Sequence, residues 1–249
     1  MRNRFFSIIG LIMLVIIFQA QTPLWESVSK DQMAKVFEQV NHWFKTSSNY
    51  SVTVTHASYE NYNTKVPFEK STGYFKKENE CYHSFLLGIH TIQNANCKIV
   101  IDTLNQSMMI TNIDNSIWSS YTIDDYKYTL KACKSIEVMK INNDKKYKLE
   151  YSEGYPLEKY EFLIGADGTI KEVVWFYSKK VSKNIDDENS EKVKPRLSIT
   201  FSSYKKNVAG SVKQECAESK YIIKKGNKMF PSDKYKNYSL SDQRLAFNQ

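Results

Sequence analysis

A chain of 249 residues with 35 Lys and Arg against 27 Asp and Glu carries a formal charge of +8. That length allows one sizeable domain with a real core, or two small ones, and the first is expected over residues 21–249. The positive excess is nearly all lysine spread along the chain, with Arg196 and Arg244 the only arginines past the first few residues. This reads as a solvated surface rather than a nucleic-acid interface, which clusters its bases and uses guanidinium forks. Weak attraction to anionic lipid or envelope polymers remains open.

Taken in chain order, Arg2 and Arg4 precede an apolar run from Phe5 to Phe18 that stops at Gln19-Ala20, the pattern of an export signal cut near Ala20. The run is short for a transmembrane helix, which needs about 20 apolar residues. The mature chain is therefore expected to be exported, periplasmic and without a stable membrane anchor. Ser29 to Lys45 carries Met33, Val36, Phe37, Val40, Trp43 and Phe44 at three- and four-residue steps behind a Ser29/Gln32 capping box, which predicts an amphipathic helix.

After Asn49 the period becomes two. The alternation predicts strands at Tyr50 to Tyr59, Ser71 to Lys76, Cys81 to Leu86, Ile89 to Gln93, Cys97 to Thr103 and Ser107 to Thr111, joined as a meander. The abundance of aromatics, 17 Tyr and 13 Phe, suits strands. A second helix is expected from Ile123 to about Ile136, capped by Thr122 and Asp125, with Tyr126, Leu130, Cys133 and Ile136 on one face. Strands then resume at Lys146 to Ser152, Leu157 to Ile164, Thr169 to Ser178, Arg196 to Tyr204 and Lys220 to Lys224. Ala166-Asp167-Gly168 is the clearest hairpin turn. Residues 180–195 read as an exposed loop and 229–249 as an irregular tail.

The stretch CYHSFLLGIHTIQNANC, residues 81–97, holds four donors suited to zinc: Cys81, His83, His90 and Cys97. Run straight, the strand turns His90 away from Cys81 and His83. Folded at Leu87-Gly88, it leaves the two thiols on different strands. Neither geometry gathers all four, so no metal is expected. In an exported chain the even set Cys81, Cys97, Cys133 and Cys216 instead suggests disulfides, with three possible connectivities. No nucleophile elbow, P-loop, zincin motif or dinucleotide fingerprint is present, so neither an enzyme nor a cofactor is expected.

The passages STGYFKKENECYHS, CKIVIDTLNQSMMITN, GADGTIKEVVWFYS and RLSITFSSYKKN, together with the order of elements, resemble the periplasmic outer-membrane lipoprotein carrier (LolA-like) family over about residues 24–236. The resemblance implies an α+β, mainly β fold: a strongly curved antiparallel sheet, a half-barrel, with covering helices. It also implies a non-catalytic carrier for lipoprotein acyl chains or another hydrophobic ligand. Candidate cavity residues are Phe85, Leu87, Ile89, Ile99, Ile101, Met108, Ile110, Trp118, Trp175 and Phe176. The family's strand arginine, which contacts its lid helices, has no counterpart between Arg4 and Arg196, so that latch does not carry over. The alternative is an envelope structural or protein-interaction domain with a filled core, whose partner would be another envelope protein.

Overall fold

The computed structural model describes residues 24–113, 126–182, 190–206, 210–226 and 228–244. The export signal, Trp118 and the Thr122/Asp125 cap lie outside them. A two-residue strand β1 (Glu26–Ser27) leads into helix α1 (Lys30–Thr46). The capping box forms as expected. Ser29 Oγ accepts from the Gln32 backbone N–H at 3.2 Å, and Gln32 Oε1 accepts from the Ser29 N–H at 2.9 Å.

Strands β2 (Asn49–Tyr59), β3 (Glu69–Glu78), β4 (Cys81–Leu86), β5 (Ile89–Gln93), β6 (Lys98–Asp102) and β7 (Ser107–Thr111) follow as the antiparallel meander expected from their alternation. After α2 (Tyr126–Ala132) a second meander runs through β8 (Cys133–Ile141), β9 (Asp144–Tyr151), β10 (Leu157–Ile164) and β11 (Ile170–Tyr177). The small hairpin of β12 (Val181–Ser182) and β13 (Lys192–Val193) then leads into β14 (Arg196–Lys206), which pairs with both β11 and β2 and so joins the two meanders. The chain ends with the short helix α3 (Ser211–Glu215), the hairpin β15 (Ile222–Lys225) and β16 (Lys228–Pro231), and β17 (Ser239–Asp242).

The result is mainly β: a 13-stranded sheet in the order β1-β8-β9-β10-β11-β14-β2-β3-β4-β5-β6-β7-β17, open at both ends. It is mixed rather than purely antiparallel, because β17 pairs parallel to β7. The segment expected to be an irregular tail thus supplies an edge strand. Short polar alternation, Ser239 to Asp242, gives too little apolar signal to mark it.

A second correction concerns the middle helix, which stops at Ala132, so Cys133 and Ile136 open a strand instead. Cys133 pairs with Tyr151, but Ser135 already pairs with Glu150 and Ile136 with Leu149. The extra residue on β8 is a bulge. It brings Cys133 and Ile136, three apart, onto one face and so imitates helical spacing.

One face of the sheet is covered over most of its strands and the other over β4–β7. On one, α1 buries Met33, Phe37, Val40 and Phe44 against Tyr50, Val52, Val54, Phe75, Tyr82, Leu149, Phe162, Val173, Ile199 and other core residues. Each fully buried side chain of this size contributes roughly 1.5–3 kcal/mol, so the helix is fixed mainly by its apolar face. On the other face, α3 and the C-terminal segment cover Ile92, Ile99, Ile101, Met108 and Ile110, with Val212, Cys216, Tyr221, Ile222 and Tyr235 completing a smaller core. Strand parity explains the division. In β4, Tyr82 belongs to the first core, whereas the neighbouring His83 pairs with Glu215 of α3 at 2.9 Å. The Glu78 carboxylate secures the start of α3 by accepting from the N–H groups of Lys213 at 2.9 Å and Gly210 at 2.7 Å.

Candidate functional site

Two places bring chemistry together. The first is a cavity of about 560 Å³ between α1 and two sheet turns, within the range of small-molecule sites. The helix contributes Val36, Gln39, Val40, His42, Trp43 and Thr46, and the turn between β8 and β9 contributes Asn143 and, just beyond it, Lys145 and Tyr147. The turn between β10 and β11 adds Ile164, Gly165, Ala166 and Gly168. That turn is held open by its own chemistry: Asp167 Oδ1 accepts from the Thr169 N–H at 3.1 Å and its hydroxyl at 2.7 Å, and Gly168 takes a φ of +81°.

The lining combines apolar Val36, Val40, Trp43, Tyr147 and Ile164 with the exposed polar side chains of Gln39, His42, Thr46, Asn143 and Lys145. Trp43 is locked in place by edge contacts with Tyr204 at 5.8 Å and Phe44 at 5.0 Å, and Tyr147 by stacking on Phe162 at 5.0 Å. An apolar chain could lie along Val36, Val40, Trp43 and Ile164, with its polar end at Gln39, His42, Asn143 or Lys145.

Of the ten residues proposed from the sequence, the nine that are described lie outside this cavity's lining. Ile99, Ile101, Met108 and Ile110 fill the core under α3, on the other face. Phe85 packs against His90, with ring centroids 4.5 Å apart, and Leu87 is exposed in a turn. Ile89 lies half-buried opposite Leu86. Trp175 packs against the first core, while Phe176 meets Tyr62 at 5.1 Å and lies under the Lys159 ammonium at 3.9 Å. Trp118 is outside the described residues. Alternation identifies which residues share a face but not which helix covers it. Val36, Val40 and Trp43, at helical spacing in the sequence, border the cavity.

The second place is a polar cluster in the stretch 81–97. Leu87 and Gly88 take φ values of +52° and +79°, a two-residue type I′ turn that pairs Leu86 with Ile89 and Phe85 with His90. Antiparallel partners share a face, so this register places His90 on the same side as His83. Strand parity applied to a straight strand separates the two rings, and the turn reverses that conclusion. His83 Nε2 stands 3.2 Å from His90 Nδ1 and 3.1 Å from the Tyr74 hydroxyl. On its other side His83 Nδ1 meets Glu215 Oε2 at 2.9 Å, and both Glu215 oxygens accept from the Lys76 ammonium, at 2.7 and 3.0 Å.

Burial holds both imidazoles below the usual histidine range. The Glu215 hydrogen bond and charge offset this in part for His83, and the His83 ring and Lys234 push His90 further down, to about 4. Both rings are therefore neutral at neutral pH. Among the described residues, no three His, Cys, Asp or Glu side chains stand together in a metal-ligand arrangement.

All four cysteines carry free thiols, which corrects the expectation of disulfides. Cys133 is in the core under α1, donating to the Thr129 carbonyl at 3.3 Å. Cys97 and Cys216 are in the core under α3, where Cys216 donates to the Tyr82 carbonyl at 3.1 Å. Burial pushes Cys97 and Cys133 up to about 11 and Cys216 up to about 12, so little thiolate forms at neutral pH. In native protein held roughly one pH unit below an ordinary thiol's range, the half-buried Cys81 is expected to alkylate first. All four should react in denaturant. Peptide mapping by mass spectrometry reads this order, and a joined pair of cysteine peptides would contradict it.

No family model matches the chain, and no curated protein matches its sequence. Among solved structures, an uncharacterized conserved protein from Thermus thermophilus is similar at 9% identity and a TM-score of 0.42, over 84% of this chain and 98% of that one. The lipoprotein LppX of Mycobacterium tuberculosis aligns at 9% identity and a TM-score of 0.38, over 72% of this chain and 98% of that one. A putative outer membrane lipoprotein-sorting protein domain from Vibrio parahaemolyticus aligns at 8% identity and a TM-score of 0.28, over 71% of this chain and 94% of that one. At these scores these likenesses assign neither a family nor an activity.

Proposed function

We propose that the protein is an exported, periplasmic, non-catalytic carrier for a hydrophobic ligand, such as a lipoprotein acyl chain, held between α1 and the sheet. The observation that carries this reading is the 560 Å³ cavity, lined by Val36, Val40, Trp43, Tyr147 and Ile164, with the polar lining residues Gln39, His42, Thr46, Asn143 and Lys145 all exposed. Every buried methylene of a ligand would contribute about 0.8 kcal/mol, so a few suffice for useful affinity without a charged contact. The sheet would curve around α1 as a half-barrel. Strands from β8 through β11, β14 and β2 to β4 all supply residues to the single core around that helix, and open sheets beyond about ten strands tend to curl.

Titration of residues 21–249 with a fluorescent long-chain fatty acid, alongside native mass spectrometry for co-purified lipid, tests the reading. Gln39→Trp with Ala166→Trp, both at exposed positions of the lining, should fill the mouth and weaken binding at least tenfold at an unchanged melting temperature. A wild-type chain that binds no acyl probe, or a filled variant that binds as well as wild type, would overturn it.

A further inference from the structure

The geometry points to His83 and His90 as a binding site for a divalent ion of the imidazole-seeking class, Cu(II) or Zn(II), on the face of the sheet opposite the cavity. The argument begins with hydrogen-bond accounting. A carboxylate only accepts, so the 2.9 Å contact with Glu215 puts the proton of neutral His83 on Nδ1 and leaves Nε2 a bare lone pair. That single in-plane lone pair faces two neighbours, the Tyr74 hydroxyl at 3.1 Å and His90 Nδ1 at 3.2 Å. It can serve one donor well. If Tyr74 donates, His90 Nδ1 is left either as a competing donor or with its own lone pair facing another. An ion between the two nitrogens uses both lone pairs and removes the conflict.

The spacing fits such an ion. With bonds of about 2.0–2.1 Å, two nitrogens this far apart subtend about 100° at the metal, between square-planar and tetrahedral angles. The Tyr74 oxygen is close enough to serve as a third donor, and the half-exposed His90 leaves the remaining positions open to water. The surroundings are rigid. Three adjacent strands carry the donors, and the Leu87-Gly88 turn fixes their register. Glu215 would act as the outer carboxylate that orients a ligating imidazole, itself held by Lys76. Lys234, whose charge reaches both rings, opposes a cation and sets a limit on affinity.

The test is titration of untagged residues 21–249 with Cu(II) and, separately, Zn(II) by calorimetry, with electron paramagnetic resonance of the Cu(II) form. One ion per chain is expected, with hyperfine coupling to two imidazole nitrogens. His90→Gln, at a half-exposed position, should weaken binding at least tenfold, and Lys234→Gln should strengthen it. His56→Gln, on β2, should leave it unchanged. A spectrum lacking two-nitrogen coupling, or equal affinity in wild type and in the His83→Gln/His90→Gln double variant, would overturn the site. The spectrum of wild-type protein decides the matter even if a variant fails to fold.

Discussion

Gly73→Ala is expected to destabilise the protein by about 3 kcal/mol, the upper end of the usual cost of overpacking. Gly73 pairs with Val54 in the β2–β3 ladder. A Cβ placed there would stand 1.8 Å from the Phe85 carbonyl oxygen and 2.8 Å from its carbon, with the Leu86 Cα at 3.2 Å. These are backbone atoms, so no side-chain rotation relieves the clash, and β4 must move away from β3. Phe85 lies opposite His90 in the next ladder, so the displacement should also reach the histidine pair. Urea unfolding measures the loss, with the neighbouring exposed Thr72→Ala as a control. A change under about 0.5 kcal/mol, the size of an ordinary surface substitution, would mean that β3 and β4 do not approach as described.

Much of the architecture was legible because its signals are local. The Ser29/Gln32 box and the three- and four-residue spacing behind it define α1 to within a residue. The alternation in Cys81 to Leu86, Ile89 to Gln93 and Leu157 to Ile164 gives those strands with their observed bounds. What failed depended on distance. The bulge after Cys133 makes a strand look helical, and β17 is a strand only because β7 offers it an edge.

The site was harder for the same reason. Val36, Val40 and Trp43 line the cavity only because the turns at Asn143 and Ala166 approach one flank of α1, which no spacing in the helix encodes. The histidine pair depended on one turn. Leu87, a bulky residue with positive φ, is an unusual occupant of a position that favours glycine or asparagine, so its turn type was not evident from the sequence.

Phe37→Ala tests whether α1 can act as a lid at all. Its ring is 1% exposed and packs on Phe162 of β10 at 5.4 Å and on Tyr126 of α2 at 6.0 Å, so it ties the helix to the sheet and to its neighbouring helix. Truncation should cost about 3–5 kcal/mol, the range for a buried phenylalanine, against a total stability of roughly 5–15 kcal/mol. Val36→Ala, one residue away but half-exposed on the cavity side, should cost about 1 kcal/mol or less while still changing acyl-probe affinity. This contrast divides the helix by function. Met33, Phe37, Val40 and Phe44 bury one face of the helix in the core along its whole length, while Val36, Gln39, His42 and Trp43 on its flank border the cavity, so ligand entry would require the turns at Asn143 and Ala166 to part from a fixed helix. Hydrogen exchange along α1 reads this directly: amides from Phe37 to Phe44 should exchange together, at the global unfolding rate. If Phe37→Ala cost as little as Val36→Ala, or if amides near Phe44 exchanged far faster than those near Phe37, α1 would not be fixed in this way.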